Sequence, residues 1–395
     1  MNKKAIITVS GIFLFLIFVW IFSSSDDYVI SGKQNNPIKP SSNIELKVYI
    51  ENSGSMNGYM EDGSQMRDAL YDYLTDIKNN VSEIELNYIN TETKSYQGTL
   101  ENYLTIRSLK AAGGSTNNTD LPDMIRQVLN NATDTTVCIF VSDCILDLPT
   151  TNTKDFFINS EIKIKDAVNT TRKRVPNLAV EIFKMKSTFT GTYFYPNGGK
   201  EQLEKTDRPY YIWIFGTNGN LSVLNSSNLL SILKKRGLEE IVSFTSPMDV
   251  PYDVTNAAGT QKVAKAVRDK YKIRINADFS GTLLSEKILT SPDYYETGGD
   301  KIKIESINPI EDKNSNYTHT ILISIPKNQI GSAKEIILDG NKSPKWLEST
   351  NDDTGREIKK NIKKTTGIKY LIDGVKDAYA TNTYSTKMEV TFTKK

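Results

Sequence analysis

From residue 44 to about residue 240, short apolar runs alternate with segments whose apolar residues recur at helical spacing. Apolar strands separated by amphipathic helices are typical of a sheet that helices cover on both faces. The pattern predicts strands at 44–50, 84–89, 136–145, 178–185 and 210–216, and helices at 64–78, 100–108, 121–129, 156–174 and 228–236. We therefore predict one α/β domain over residues 44–240, built on a mostly parallel sheet.

The pattern changes after residue 240. Strand candidates follow at 271–279, 301–307, 318–325 and 388–392, and helix-like stretches occur at 355–364 and 369–378. The alternation Lys301-Ile302-Lys303-Ile304 is typical of a strand with one buried face in an antiparallel sheet. We predict a smaller, β-rich and sandwich-like C-terminal domain over residues 241–395.

The N-terminus has a membrane-spanning pattern. An apolar run of about 18 residues, from Ala5 to Phe22, follows two lysines and precedes Ser23. The lysines favour a cytoplasmic N-terminus, which predicts a single-pass signal anchor over 1–25 with the body extracytoplasmic, in the periplasm or at the cell surface. A cleaved signal peptide, giving a secreted protein, is the alternative. Residues 26–43 are predicted to be a flexible linker.

The composition narrows the possible functions. The chain has 49 basic and 47 acidic residues and no long basic block, so nucleic acid is not an expected partner. Cys138 and Cys144 are about 20 Å apart along a strand, too far for a disulfide, and are expected to be buried thiols. His319 is the one histidine and is expected at the surface, which argues against a zinc site and against a serine hydrolase.

Side chains that carry oxygen follow two predicted strands and one glycine-rich loop. The first strand leads into Glu51-Asn52-Ser53-Gly54-Ser55, the loop that begins at Gly113 contains Thr119, and the 136–145 strand carries Asp143. Loops at the carboxyl ends of parallel strands meet at one crevice. Hydroxyls and carboxylates gathered there suit a hard cation such as Mg²⁺.

This order resembles the metal-ion-dependent adhesion site of von Willebrand factor A (vWA) domains, which combines a D-x-S-x-S motif, a distant Thr and a later Asp. The resemblance covers roughly residues 44–240. It implies that Ser53, Ser55 and Thr119 contact one ion, Mg²⁺ or else Mn²⁺ or Ca²⁺, with Glu51 and Asp143 supporting them. It also implies an open position that takes an acidic side chain of another protein.

One position departs from that motif, because Glu51 stands where the family has Asp. Three functions stay open. A membrane-anchored protein of a bacterial cell envelope that binds another protein through a cation, without enzymatic activity, is favoured. The alternatives are a structural or assembly component with a degenerate site and, third, a metal-assisted hydrolase. Considered one at a time, these residues also have ordinary structural explanations. The serines fit a turn after a strand, and Thr119 fits a helix cap.

Overall fold

The computed structural model describes residues 27–33, 43–113, 120–149, 151–196, 198–225, 227–299, 301–330, 333–380 and 385–395. The predicted anchor over 1–25 lies outside these ranges. Within them, no helix is both long enough and apolar enough to cross a membrane.

A seven-stranded sheet forms the centre of the first body. In spatial order its strands are β4 (Thr93–Tyr96), β3 (Glu83–Ile89), β2 (Glu45–Glu51), β5 (Thr136–Ser142), β7 (Lys200–Thr217), β6 (Leu178–Phe194) and β8 (Leu238–Thr245). Every residue of β5 is buried, because helices pack on both faces of the sheet and exclude water from both.

Helices cover this sheet on both faces. They are α1 (Gln65–Ile77), α2 (Leu100–Tyr103), α3 (Ile106–Ala111), α4 (Leu121–Leu129), α5 (Thr153–Arg174), α6 (Asn218–Leu224) and α7 (Ser227–Lys235). Alternate residues of the strands point to opposite faces, so Ile139 joins the core beneath α1 and Phe140 the core beneath α4 and α5. Ser64 caps α1 and Asp120 caps α4, which fixes where each helix begins.

The sheet is mixed, which corrects the prediction of a mostly parallel sheet. β2 is parallel to β3 and β5, whereas the β5–β7, β7–β6 and β6–β8 pairs are all antiparallel. The cause is a long hairpin: β6 and β7 follow each other through a short turn, and a turn of that length can join only antiparallel strands. The predicted strands at 178–185 and 210–216 are the parts of β6 and β7 that lie farther from the connecting turn. The predicted domain boundary at residue 240 falls inside β8.

The second body is a sandwich of two antiparallel sheets. The first sheet, in order, contains β10 (Val263–Ala264), β1 (Tyr28–Gly32), β19 (Thr386–Lys394), β16 (Lys334–Leu338) and β13 (Tyr295–Thr297). The second contains β11 (Ala266–Val267), β12 (Lys270–Ala277), β15 (His319–Pro326) and β14 (Lys303–Pro309), with β9 (Tyr252–Asn256) also paired to β12. Fully buried residues from both sheets, among them Ile30, Ile323 and Val390, share one core.

The two bodies are connected more than once. β1 lies in the predicted linker and pairs with β19 and β10, so part of that segment belongs to the sandwich. The short helix α8 (Glu286–Leu289) precedes β13 in the chain. After the sandwich strand β16, the chain returns to the α/β body as α9 (Trp346–Thr350), the short parallel strands β17 (Asn351–Asp352) and β18 (Thr365–Thr366), and α10 (Ile368–Tyr379). Of these helices, α10 packs on α5, and α9 packs on α10. The helix predicted at 369–378 is therefore present, whereas the stretch 355–364 forms turns rather than the predicted helix.

Candidate functional site

The carboxyl ends of β2 and β5 hold the candidate site. These strands are parallel neighbours, with Ile50 opposite Val141, and Glu51 and Ser142 are their last residues. The Ser142 hydroxyl donates a hydrogen bond to the Glu51 carboxylate and accepts one from the Cys144 backbone N–H at 2.7 Å. This contact fixes the Glu51 side chain across the gap between the two strand ends.

The two predicted serines lie side by side. After β2 the chain turns through Gly54 into a 3-10 turn, Ser55–Tyr59, and the Ser53 and Ser55 hydroxyl oxygens are 2.9 Å apart. A Cβ atom at position 54 would lie 3.1 Å from the ring of Phe194, so the turn passes close beneath the β6–β7 hairpin. Phe194 is itself 45% exposed, which places an accessible aromatic ring beside the serines.

Both predicted carboxylates are buried, with Glu51 1% and Asp143 2% exposed. Burial raises the pKa of Glu51 well above its usual range; the nearby Asp143 charge adds to the shift, and hydrogen bonds from Ser142 and Ser53 oppose it. Burial also raises the pKa of Asp143, against a hydrogen bond from Ser55 and the charge of Arg208. The structure thus brings both acids and both serines into one cluster.

The sequence analysis missed Arg208, which is 1% exposed and lies close enough to Asp143 for each charge to shift the pKa of the other. Its guanidinium carbon is 4.7 Å from the centre of the Tyr193 ring, and its Nη1 donates to the Ile362 carbonyl at 3.4 Å. The Nε and Nη2 atoms have no hydrogen-bond partner among the described residues. The only available signal was an arginine inside an otherwise strand-like stretch.

Thr119 lies outside the described residues, so its predicted contact stays a prediction. The described residues before and after it are informative. The Asn52 side-chain amide donates to the Gly113 carbonyl, which brings the start of the glycine-rich loop beside the serine turn. Asp120 caps α4 by accepting a hydrogen bond from the Asp123 N–H at 3.1 Å, and it is therefore engaged in the helix end.

The chemistry of the clustered side chains fits a small hard cation. Oxygen ligands at about 2.1 Å in an octahedron lie about 3 Å from their neighbours, which matches the Ser53–Ser55 separation of 2.9 Å. Two adjacent buried carboxyl groups repel each other when ionised, and a cation relieves that repulsion. Among the described residues, no group of three or more His, Cys, Asp or Glu is placed to hold a metal ion.

The other predicted residues of chemical interest have structural roles. Cys138 and Cys144 are free, buried thiols, as predicted. His319 is 4% exposed, which corrects the expectation of a surface histidine. It begins β15, and its ring contacts the Glu286 carboxylate at 3.2 Å.

The described cluster is thus a set of buried and half-buried carboxyl and hydroxyl groups at the carboxyl edge of a mixed sheet. Glu51 ends β2, Asp143 directly follows β5, and the hydroxyls come from the turn after β2. No protein-family model matches the chain, and no curated protein matches it significantly.

Proposed function

We propose that this chain is a membrane-anchored protein of a bacterial cell envelope whose vWA-like domain binds another protein through a divalent cation. The observation that carries the proposal is the clustering of two buried carboxyl groups with two hydroxyls 2.9 Å apart. Ser53 and Ser55 would hold the ion directly, together with Thr119, and Glu51 and Asp143 would support it. A bound Mg²⁺ ion would supply an open coordination position for an acidic side chain of the partner.

The surroundings of the serines support binding of a protein rather than catalysis. Phe194 exposes 45% of its surface next to Gly54, and aromatic side chains are enriched where proteins meet. No histidine lies in the cluster, since the chain's only one is in the sandwich, so catalysis there would depend on a carboxyl group as the general base. In this proposal the α/β body recognises a partner outside the membrane that the segment 1–25 spans.

A degenerate site is the second candidate, and Arg208 favours it. Burial raises the pKa of both Glu51 and Asp143, which favours a proton on the pair, and the guanidinium of Arg208 lies close enough to Asp143 to balance one negative charge. The cluster would then need no cation for charge balance. The chain would serve as a structural or assembly component whose carboxyl pair keeps a proton in place of an ion.

Calorimetric titration of the full-length chain in detergent with Mg²⁺ and Mn²⁺ separates the two candidates. We expect heat of binding from the wild type and none from the double variant Ser53→Ala/Ser55→Ala, because each substitution removes one ligand oxygen. Ser349→Ala, which removes an exposed hydroxyl on α9, is the matched control and should bind like the wild type.

Circular dichroism of the double variant must match the wild type, so that a lost signal reports the ligands and not the fold. If the wild type itself gives no heat with either ion, the cation mechanism is wrong and the degenerate site is favoured. If it binds, complexes that the full-length chain forms in the envelope should dissociate on addition of EDTA.

A further inference from the structure

One end of the sandwich carries a cluster of basic side chains that the proposed function does not use. Arg268, Lys270, Lys301, Lys303 and Lys327 surround an open depression of about 700 Å³. We call this surface the basic end. Strand pairing explains the clustering: Lys270 lies opposite Pro326 in β15, and Lys303 lies opposite Ser324, so the start of β12, the end of β15 and the start of β14 meet there.

Four of these five cations are not neutralised in the way that others nearby are. Further along β12 and β14, Lys272 pairs with Glu305 at 2.9 Å, and elsewhere in the sandwich Lys262 pairs with Asp253 at 2.5 Å. Within the described part of the chain, Arg268, Lys270, Lys301 and Lys303 have no such carboxylate partner. Asp269 is the one acidic residue that lines the depression, against five basic ones, so the basic end presents net positive charge to whatever lies in front of it.

The described chain begins at this same end. Tyr28 pairs with Ala264 in antiparallel register, so the N-terminal end of β1 points toward the turn that carries Arg268. Two further contacts hold Asp27 there: its carboxylate is 3.9 Å from the Lys265 ammonium, and its carbonyl accepts a hydrogen bond from the Lys395 N–H at 3.2 Å.

The predicted anchor limits how far the basic end can lie from a bilayer. The apolar run ends at Phe22, five residues before Asp27. Five residues span at most about 17 Å even when fully extended. The basic end must therefore face the membrane surface closely, because the chain enters the sandwich on that side.

One exposed apolar side chain also lies at the basic end. Val267 is 63% exposed, the highest exposure among the large hydrophobic side chains described, and it directly precedes the two-residue turn Arg268-Asp269. Both turn residues have positive φ, 50° and 61°, which is the backbone of the tight hairpin turns whose twist matches the strands. An apolar side chain held next to basic ones is suited to the headgroup layer of a membrane.

We propose that the basic end is a docking surface for anionic lipid headgroups, and that it holds the sandwich against the bilayer in which segment 1–25 is inserted. The inference rests on the proposed anchor for its distance limit. Its own evidence is the placement of Arg268, Lys270, Lys301 and Lys303, which have no carboxylate partner among the described residues, together with an exposed valine, at the end where the described chain begins. Docking fixes the orientation of the body relative to the membrane.

The test uses a single fluorophore on the full-length chain. In Val267→Cys the introduced thiol is exposed, whereas Cys138 and Cys144 are 0% exposed and do not compete for the label. The labelled chain is reconstituted into nanodiscs of phosphatidylglycerol or phosphatidylcholine that contain a headgroup quencher. We expect quenching at least about twofold stronger with phosphatidylglycerol, lost at about 1 M salt, where the Debye length falls to about 3 Å.

Two comparisons make the result specific. Asn316→Cys places the label in the turn between β14 and β15, at the opposite end of the sandwich, and should stay unquenched in both lipids. Adding Arg268→Asn, Lys301→Gln and Lys303→Gln to Val267→Cys should reduce quenching to the phosphatidylcholine level. Asn is chosen at position 268 because it tolerates positive φ.

Extraction with alkaline carbonate separates docking from anchoring. If the chain stays inserted but quenching is equal in the two lipids and unchanged by the three neutralising substitutions, the docking surface is refuted and the anchor stands. If carbonate extracts the chain, the anchor is refuted, and quenching that still depends on phosphatidylglycerol supports the docking surface alone.

Discussion

Buried carboxyl groups are the residues of this chain whose chemistry depends most on the fold. Glu51, Asp143 and Glu181 are all 2% exposed or less, and burial raises the pKa of each. The first two face each other at the candidate cation site. Glu181, on β6, belongs to another part of the molecule and gives a separate way to test what burial does.

The surroundings of Glu181 are polar but uncharged. Its two carboxylate oxygens accept hydrogen bonds from the Asn225 amide at 2.7 and 2.6 Å, and one of them accepts another from Ser243 at 3.1 Å. These bonds lower its pKa, but burial outweighs them and raises it from the ordinary 4.5 to about 8. At neutral pH the folded protein therefore keeps a proton on Glu181.

This proton makes stability depend on pH. Because the folded-state pKa of Glu181 is above its unfolded value, the stabilisation is fully present below about pH 4.5 and is lost as pH rises through about 8. Glu181→Gln removes this dependence. We expect the wild-type minus variant difference in unfolding free energy to fall by a few kcal/mol between pH 5 and 9, measured by urea denaturation.

Glu204→Gln, at an exposed position on β7, is the control and should leave the difference flat across that range. A Glu181→Gln variant whose stability follows the wild type in parallel at every pH would show that Glu181 does not titrate in this window.

At the residue scale, the clustering of four side chains could be predicted from their positions at the ends of predicted strands. Glu51, Ser53 and Ser55 were found because a strand places its last residues at a predictable edge, and Asp143 was found for the same reason. Arg208 was missed because it comes close to Asp143 only once β6 and β7 have paired as a hairpin. No local sequence pattern specifies that pairing.

At the scale of elements, the return of α10 to the α/β body depends on a close helix crossing. Gly374 lies where α10 meets α5, and a Cβ atom there would be 2.5 Å from the Glu161 carbonyl oxygen and 2.9 Å from Ile164. A backbone oxygen cannot move aside as the tip of a side chain can. The two helices can therefore lie this close together only because residue 374 has no side chain.

Gly374→Ala should lower the free energy of unfolding by about 1–3 kcal/mol, because the clash outweighs the helix propensity gained of about 1 kcal/mol. Urea denaturation at pH 7 measures the change. Gly281→Ala is the matched control, since the nearest atom to its Cβ position is 3.8 Å away and its stability should barely change. Equal stability of the two variants would contradict the close crossing.

Hydrophobic periodicity predicted best the elements whose sequences show one clear periodic pattern. The helices α4 and α10 and the strands β2, β12 and β15 lie within a few residues of their predicted bounds. The 100–108 helix is split at Leu104 into α2 and α3, since Thr105 caps a new helix. The direction of β7 was not predictable, because it depends on the length of the β6–β7 hairpin rather than on any single strand.

At the scale of the whole molecule, the connections between the bodies should couple their unfolding. The cores of the two bodies are separate, but the chain passes between the bodies several times. It enters the sandwich between β8 and β9, returns to the α/β body at α9, and re-enters the sandwich after α10. Trp213 and Trp346 both lie in the α/β core and its surroundings, whereas the sandwich contains no described tryptophan. Apart from Trp20, which lies outside the described residues, tryptophan fluorescence therefore reports the α/β body.

Ile323→Ala removes fully buried side-chain atoms from the sandwich core and should cost about 2–5 kcal/mol. We expect the unfolding midpoint seen by tryptophan fluorescence to shift as much as the midpoint seen by far-UV circular dichroism. Val267→Ala, at an exposed position of the same body, should shift neither. A fluorescence midpoint that stays unchanged in Ile323→Ala would mean that the bodies unfold independently.

The pairing of β1 with β19 has a consequence for how the protein reaches its folded state. Ser31 and Thr391, which hydrogen-bond across these strands, are 360 residues apart in the chain. Contacts of such high sequence separation form late, because a very long loop must close first. Until β19 has been synthesised, β1 lacks one of its two partner strands, β10 being the other. We therefore expect the α/β sheet to assemble before the sandwich closes.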